Sequence, residues 1–234
     1  MLEKVNTIYR ILEEDNNCYV AQLHDCQVVI NKYDFASPQI LSNNLLEKKC
    51  SECNKYIGFL TWLLMEKKMA VVLHAAGVRN KQGKYILFCG QAGAGKSTIF
   101  NLLKGEFSGI HEETIFVKMN NHFSTSTWSF PQGLAMPLSK GEIGQIYFLV
   151  GHSVKNSIQP VPFEEAFALL MKSLNKTYYF NSVIYKTLFE KDSVAYDYIE
   201  LLKSVPVYKL SFKPDMEIVD LINENWGNND ATQN

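Results

Sequence analysis

The sequence predicts an α/β fold in which helices flank a mixed sheet and a small β-rich subdomain precedes the main domain. Two short runs, 70–78 and 85–90, are almost entirely apolar, as strands buried on both faces are. The segment 162–174 has a proline at its start, glutamates in its first turn and apolar residues at helical spacing, which predicts a helix. Residues 1–48 instead mix short strand-like runs with polar turns, which predicts antiparallel hairpins.

The chain has 234 residues, enough for one domain of about 100–200 residues with a small appendage. We divide it into an N-terminal β-rich subdomain at 1–54, a main domain at 55–226 and a disordered tail at 227–234. The subdomain is expected to contain strands at 18–23 and 27–33. In the main domain we further expect helices at 55–68, 96–104, 182–190, 193–203 and 217–226, and strands at 114–119, 123–130, 146–150 and 205–212.

Charge and hydropathy argue against two kinds of partner. The 23 Lys and Arg residues balance 24 Asp and Glu residues, so there is no overall positive field to hold a nucleic acid. No apolar run approaches the 18 or so residues of a membrane-spanning helix, and the run 56–65 is followed at once by charged residues. The N-terminus carries charges where a signal peptide needs an apolar core. We therefore expect a cytoplasmic protein with neither a nucleic-acid nor a membrane partner.

The five cysteines argue against a disulfide framework, since their number is odd and the expected compartment is reducing. Cys50 and Cys53 have the spacing of a zinc half-site. A structural zinc site needs four ligands, however, and no second pair of this kind follows. Metal binding at this pair and an incidental spacing both stay open.

Residues 90–97, GQAGAGKS, match the phosphate-loop pattern GxxxxGK[ST], with a predicted strand before them and a predicted helix after them. Backbone N–H groups in such a loop point inward at phosphate oxygens, which requires unusual dihedral angles and leaves little room for side chains. An accidental lysine in a glycine-rich turn is the alternative, and the pattern in its context argues against it. We therefore predict a P-loop core that binds ATP or another nucleoside triphosphate. The expected binding residues are Gly90, Gln91, Ala92, Gly93, Ala94, Gly95, Lys96, Ser97 and Thr98.

Within this loop, the chemistry assigns separate roles to the last residues. Lys96 is expected to reach the β- and γ-phosphates, and the Ser97 hydroxyl is expected to ligate Mg²⁺. The start of the helix adds its positive dipole end. Thr98 lies beside Ser97, where it could also cap or pack the start of the helix.

Several common classes of nucleotide-binding protein lack support in the sequence. The letters NKYD at 31–34 match a GTPase base-recognition motif but lie upstream of the loop, where they cannot serve that role. The aliphatic run 146–150 ends in Gly-His, without the acidic residue expected of a motor or transporter ATPase. Small-molecule kinases usually carry an arginine-rich lid, and this chain has only Arg10 and Arg79.

The order of motifs over roughly residues 57–215 resembles the HPr kinase/phosphorylase family, whose P-loop is related to that of phosphoenolpyruvate carboxykinase. In that family a strand with His-Gly or His-Ala precedes the loop, and an acidic pair follows the helix after the loop. Here these elements are LHAAGV at 73–78, the loop itself, and IHEET at 110–114. The segments WSFPQG (128–133), PFEEAFALLMKS (162–173) and VPVYKLSFKPD (205–215) are similar to later segments of short, stand-alone members.

The resemblance implies a kinase that uses ATP and Mg²⁺ to phosphorylate a Ser or Thr hydroxyl on a peptide or small protein. The resemblance implies four catalytic residues: Glu113, which would act as the base, and Glu112, Lys96 and His74. It also implies that Ser97 and Glu112 would bind the metal. The family pair is Asp-Asp, so Glu112-Glu113 departs from it by one methylene per side chain. The long loop that presents HPr is not recognisable, which argues against HPr as the substrate. Stand-alone relatives act in peptide modification, so a biosynthetic precursor peptide is an implied acceptor.

Alternatives stay open for the individual residues and for the whole protein. Glu112-Glu113 could form a solvated turn, and His74 could be a structural residue of a buried strand. A nucleotide-binding regulatory protein with weak or no catalysis is the second hypothesis, and a small-molecule kinase is the third. The segment 178–189 could form a homo-oligomer interface or part of the core. Less specific candidates are His111, Trp128, Phe130 and Lys140.

Overall fold

The computed structural model describes residues 9–23, 26–31, 39–40, 70–118, 127–129, 136–137, 142–174 and 192–230. These residues form two sheets and four helices. From residue 70 onward they form an α/β fold in which helices flank a mixed sheet, as the sequence predicts. The predicted helices at 55–68 and 182–190 lie outside the described residues. So do residues 231–234 of the expected tail.

The N-terminal sheet has four antiparallel strands in the order β1-β2-β3-β4. Strand β1 (Tyr9–Glu14) pairs with β2 (Cys18–Leu23), β2 pairs with β3 (Cys26–Asn31), and β3 pairs with β4 (Gln39–Ile40). The turn between β1 and β2 is fixed by Asp15, whose carboxylate accepts a hydrogen bond from the Asn17 N–H at 2.6 Å. The expected antiparallel hairpins are therefore confirmed.

The second sheet has eight strands in the order β11-β12-β10-β6-β5-β7-β8-β9. Strands β6 (Tyr85–Cys89), β10 (Ile143–His152) and β12 (Val207–Phe212) run parallel at its centre. Strand β5 (Ala70–Arg79) is antiparallel to β6 and to β7 (Ser108–Lys118). Beyond β7 lies β8 (Thr127–Ser129), and the two edge strands are β9 (Met136–Pro137) and β11 (Ser157–Pro160).

Helices cover both faces of this sheet. On one face, α1 (Lys96–Leu103) and α4 (Glu217–Asp230) share a core with alternate residues of the central strands, including Phe88, Tyr147 and Leu210. On the other face, α2 (Phe163–Leu174) packs against β10 and β5, and α3 (Asp192–Ser204) packs against β5 and α2. None of these four described helices combines the length and apolar character that a membrane crossing requires.

Two boundaries differ most from the expected ones. Strand β7 begins at Ser108, six residues before the strand expected at 114–119, because β5 supplies a partner for its whole length. Helix α4 continues to Asp230, so the first four residues of the expected disordered tail are helical. The local sequence around Gly227 is a poor helix former, and the helix is stabilised by packing of its Ile222 and Trp226 side chains on the sheet.

Candidate functional site

The loop between β6 and α1 has the backbone conformation that its glycines allow. Gly93 and Gly95 have φ angles of 81° and 99°, in the left-handed region that other residues rarely adopt. A Cβ atom on Gly90 would lie 2.9 Å from the Cβ of Ala94 and 3.3 Å from the Cβ of Leu149. The tight turn therefore requires glycine for conformational freedom at two positions and for space at a third.

The start of helix α1 lacks side-chain compensation for its positive dipole end. Gly95 is the N-cap and has no side chain with which to cap the first-turn amides, and the first turn contains no acidic residue. The first helical hydrogen bond runs from the Ile99 N–H to the Gly95 carbonyl at 2.9 Å. An uncompensated helix start of this kind favours an anion in front of it.

The side chain of Lys96 folds back onto the loop that precedes it. Its ammonium group donates to the carbonyl oxygens of Gly90 at 2.9 Å and Gln91 at 3.0 Å, and the residue is only 9% exposed. The loop thus holds a buried positive charge beside its own backbone. Because a charge in such a position is weakly screened, it attracts an anion more strongly than a surface lysine would.

His74 lies close enough to Lys96 for the lysine charge to disfavour protonation of the imidazole. Burial first, and then the Lys96 charge, lower the pKa of His74 from 6.5 to about 4, although a hydrogen bond to the backbone of Ser173 opposes this. The same lysine opposes the effect of burial on Cys89, whose pKa is nevertheless raised to about 12. At neutral pH, His74 is therefore neutral and Cys89 is a protonated thiol, which leaves Lys96 as the charged member of this group.

The acidic pair lies within strand β7, which excludes the solvated turn considered above. Glu112 pairs with Ala76 of β5 and Glu113 with Ala75, and Ala75 in turn pairs with Cys89 at the end of β6. The backbone of Glu113 is therefore level with the last strand residue before the loop, two strand spacings or about 10 Å away. The sheet brings both acids to the loop edge at the level of the backbone.

A magnesium ion in this position would need few protein ligands. Among the described residues, no group of three or more His, Cys, Asp and Glu side chains could hold a metal by itself. Mg²⁺ bound with a nucleotide usually takes one or two protein oxygens together with phosphate oxygens and water. Ser97 is exposed at the start of α1, and a carboxylate from β7 is the second candidate. This oxygen donor set fits Mg²⁺.

The sequence patterns did not indicate how α2 contributes to the site. The Gln91 side chain donates from Nε2 to the Lys172 carbonyl at 3.2 Å, which links the loop to the last turn of α2. A cavity of about 290 Å³ opens beside this link. Its other wall includes Val150 and Gly151, and Gly151 has a φ of 116°. A glycine just before the last residue of a strand, at the carboxyl edge of parallel strands, is the signal that could have identified this wall.

Of the remaining candidate residues from the sequence, those that the structure describes do not line the cavity beside the loop. Thr98 is half-buried in the first turn of α1. The backbone of His111 pairs with Gly77, and that of Trp128 pairs with Phe116 and Pro137. Outside the described residues lie Phe130, Lys140, Cys50, Cys53 and the segment 178–189.

Comparisons with known proteins do not identify a family for this chain. A scan against protein-family models finds no match, and a search of curated proteins finds none either. The function therefore has to be argued from the geometry and chemistry of the loop, its lysine and the residues that surround them.

Proposed function

We propose that this protein is an ATP- and Mg²⁺-dependent kinase that transfers the γ-phosphate to a Ser or Thr hydroxyl of a peptide or small protein. One observation carries the proposal: a glycine-rich loop holds a buried lysine, and an acidic pair on β7 is level with the strand end that leads into it. The loop and lysine suit a polyphosphate, while the acids suit metal and proton handling.

In the proposed reaction, the loop amides, the start of α1 and the Lys96 ammonium neutralise charge on the β- and γ-phosphates. A bound Mg²⁺ would supply positive charge that stabilises the transferring phosphoryl group. Ser97 is the proposed metal ligand on the loop side, and Glu112 contributes from β7. The acceptor oxygen attacks the γ-phosphorus, the bond to the β–γ bridging oxygen breaks, and ADP leaves.

Glu113 is the proposed base, which takes the proton of the acceptor hydroxyl. Neutral His74 lies beside Lys96 and is proposed to position groups near the transferred phosphate without adding charge. The acceptor is proposed to be a peptide or small protein, such as a biosynthetic precursor peptide. This part of the proposal rests on the resemblance in motif order and on the absence of an arginine-rich lid from the sequence.

Labelled ATP tests the proposal directly. The full chain is incubated with Mg²⁺, γ-labelled ATP and a library of Ser- and Thr-containing peptides, and label transfer is measured. We expect transfer to be lost in Lys96→Ala and Glu113→Gln and retained in Glu106→Gln. Glu106 is a suitable control because it is an exposed acid in the turn after α1.

A regulatory nucleotide-binding protein is the second candidate function. The observation that favours it is the glutamate pair, since a side chain one methylene longer moves the proposed base away from the position that rate depends on. This candidate predicts tight ATP binding, no transfer to any peptide in the library, and no effect of Glu113→Gln on binding. Loss of transfer specifically in Glu113→Gln would exclude it.

A further inference from the structure

The cavity beside the phosphate loop lies on the opposite side from the acidic pair. In the sheet, β6 is flanked by β5 on one side and by β10 on the other, and β7 lies beyond β5. Residues 90–94 of the loop and 148–151 at the end of β10 line the cavity, together with Leu169, Lys172 and Ser173 of α2. The loop therefore separates the acids of β7 from the cavity against β10.

This arrangement gives a direction to a bound polyphosphate. A triphosphate whose γ end points toward β7 extends its α end toward β10, because it is linear and the loop holds its middle. The cavity lies where the group attached to the α-phosphate would arrive. Its lining contains the first five loop residues but neither Lys96 nor Ser97, as expected for a compartment beyond the phosphates.

The walls of the cavity suit a partly apolar group. The lining includes the buried Phe148 and Leu149. It also includes Val150, which is 47% exposed, and Leu169 of α2, which is half-buried. The polar groups of Gln91 and Lys172 lie beside these apolar surfaces. A volume of about 290 Å³ lies just below the range of about 300–1,000 Å³ for ligand pockets.

We propose that this cavity binds the nucleoside of the bound nucleoside triphosphate, with the base packed against the aliphatic side chains of Val150 and Leu169. This inference rests on the proposed function, because it takes the loop to be the phosphate site. It adds a specificity compartment built from β10 and α2, two elements outside the loop motif. The link from Gln91 to Lys172 joins that compartment to the phosphate site.

Filling the cavity tests the proposal. Leu169→Trp places a large side chain in the α2 wall, and Val150→Trp does the same from β10. For each variant, calorimetry measures the affinity for Mg·ATP and for Mg·tripolyphosphate, which has the phosphates but no nucleoside. We expect both variants to weaken ATP binding at least 10-fold and to change tripolyphosphate binding less than 2-fold.

Two controls separate a filled cavity from a general effect of a large side chain. Ala168 is exposed on α2 outside the cavity, and Val154 is 88% exposed beyond β10. Ala168→Trp and Val154→Trp should leave both affinities unchanged. Circular dichroism and thermal unfolding confirm that each variant is folded. Because the two substitutions lie in different elements, the test can still be made if one variant does not fold.

The outcomes distinguish this inference from the proposed function. If wild type binds tripolyphosphate but both cavity variants leave ATP binding unchanged, or weaken both ligands equally, the nucleoside site is wrong and the phosphate loop stands. If wild type binds neither ligand, the phosphate site fails and the nucleoside site fails with it.

Discussion

The hydroxyl of Tyr198 on α3 forms hydrogen bonds with both backbone groups of Val72 in strand β5. It accepts a hydrogen bond from the Val72 N–H at 3.3 Å and donates one to the Val72 carbonyl at 2.7 Å. In the described residues, β6 pairs with β5 only from Ala75 onward, since the chain leaves the sheet at Gly90 to form the loop. The tyrosine therefore satisfies backbone groups that the departure of β6 would leave unpaired.

Tyr198→Phe should lower the free energy of unfolding by about 1–3 kcal/mol, because it leaves a buried N–H and a buried carbonyl without this partner. Urea denaturation monitored by circular dichroism measures the change. Tyr196→Phe is the matched control, since Tyr196 is 60% exposed on the same helix. Equal stabilities of the two variants would contradict the prediction.

Gly144→Ala tests the contact between strand β10 and helix α4. A Cβ atom on Gly144 would overlap the indole ring of Trp226, so the substitution should destabilise the protein by about 1–3 kcal/mol through overpacking. Combining it with Trp226→Leu should recover part of this loss, which a double-mutant cycle in urea measures.

Gly227→Ala is the control for Gly144→Ala. An added Cβ atom there would meet no atom within 4 Å, and alanine is the better helix former by about 1 kcal/mol. We expect this variant to be as stable as wild type or more stable. A similar loss of stability at both glycines would argue against the specific contact with Trp226.

Lys96→Ala should weaken the binding of Mg·ATP by about 10- to 100-fold. Hydrogen bonds to a charged group contribute about 1.5–3 kcal/mol, and water in place of the buried ammonium would not supply its charge. Calorimetry at fixed ionic strength measures the affinity. Lys104→Ala is the control, because Lys104 is exposed after α1 and its ammonium donates to Asn101 at 2.8 Å. Similar losses in both variants would mean that overall charge, not this site, holds the nucleotide.

The lowered pKa of His74 predicts that the free energy of unfolding depends on pH. Its pKa is about 4 in the folded protein and 6.5 when unperturbed, so between these values the unfolded chain binds a proton that the folded chain does not. Stability should therefore fall as the pH is lowered from about 6.5 to about 4, by up to about 3 kcal/mol from this residue.

His74→Gln removes this titration and isolates its contribution from that of the carboxylates. Free energies of unfolding of wild type and variant are compared at several pH values from 7 to 4. We expect the difference between the two proteins to change in favour of the variant as the pH falls. A difference that stays constant over this range would show that His74 does not titrate as described.

Much of the main domain is predictable from local pattern. The buried strands at 70–78 and 85–90 and the helix at 162–174 are confirmed within one residue at each end. Their signals are strong because burial on both faces requires a continuous apolar run, and a helix on a sheet requires apolar residues at helical spacing. The start of β7 was not predictable in this way, since Glu112 and Glu113 are poor strand formers and their strand depends on pairing with β5.

The amino-acid sequence by itself determined the tight glycine-rich turn between β6 and α1, because its small residues and the strand and helix around it are local features. Only the tertiary structure decided what surrounds the loop. Sheet order places the acids of β7 on one side and the cavity at β10 on the other, and packing brings Ser173 of α2 to His74. These contacts join segments far apart in the chain, and their energies depend on the register and packing of whole elements, which no local pattern encodes.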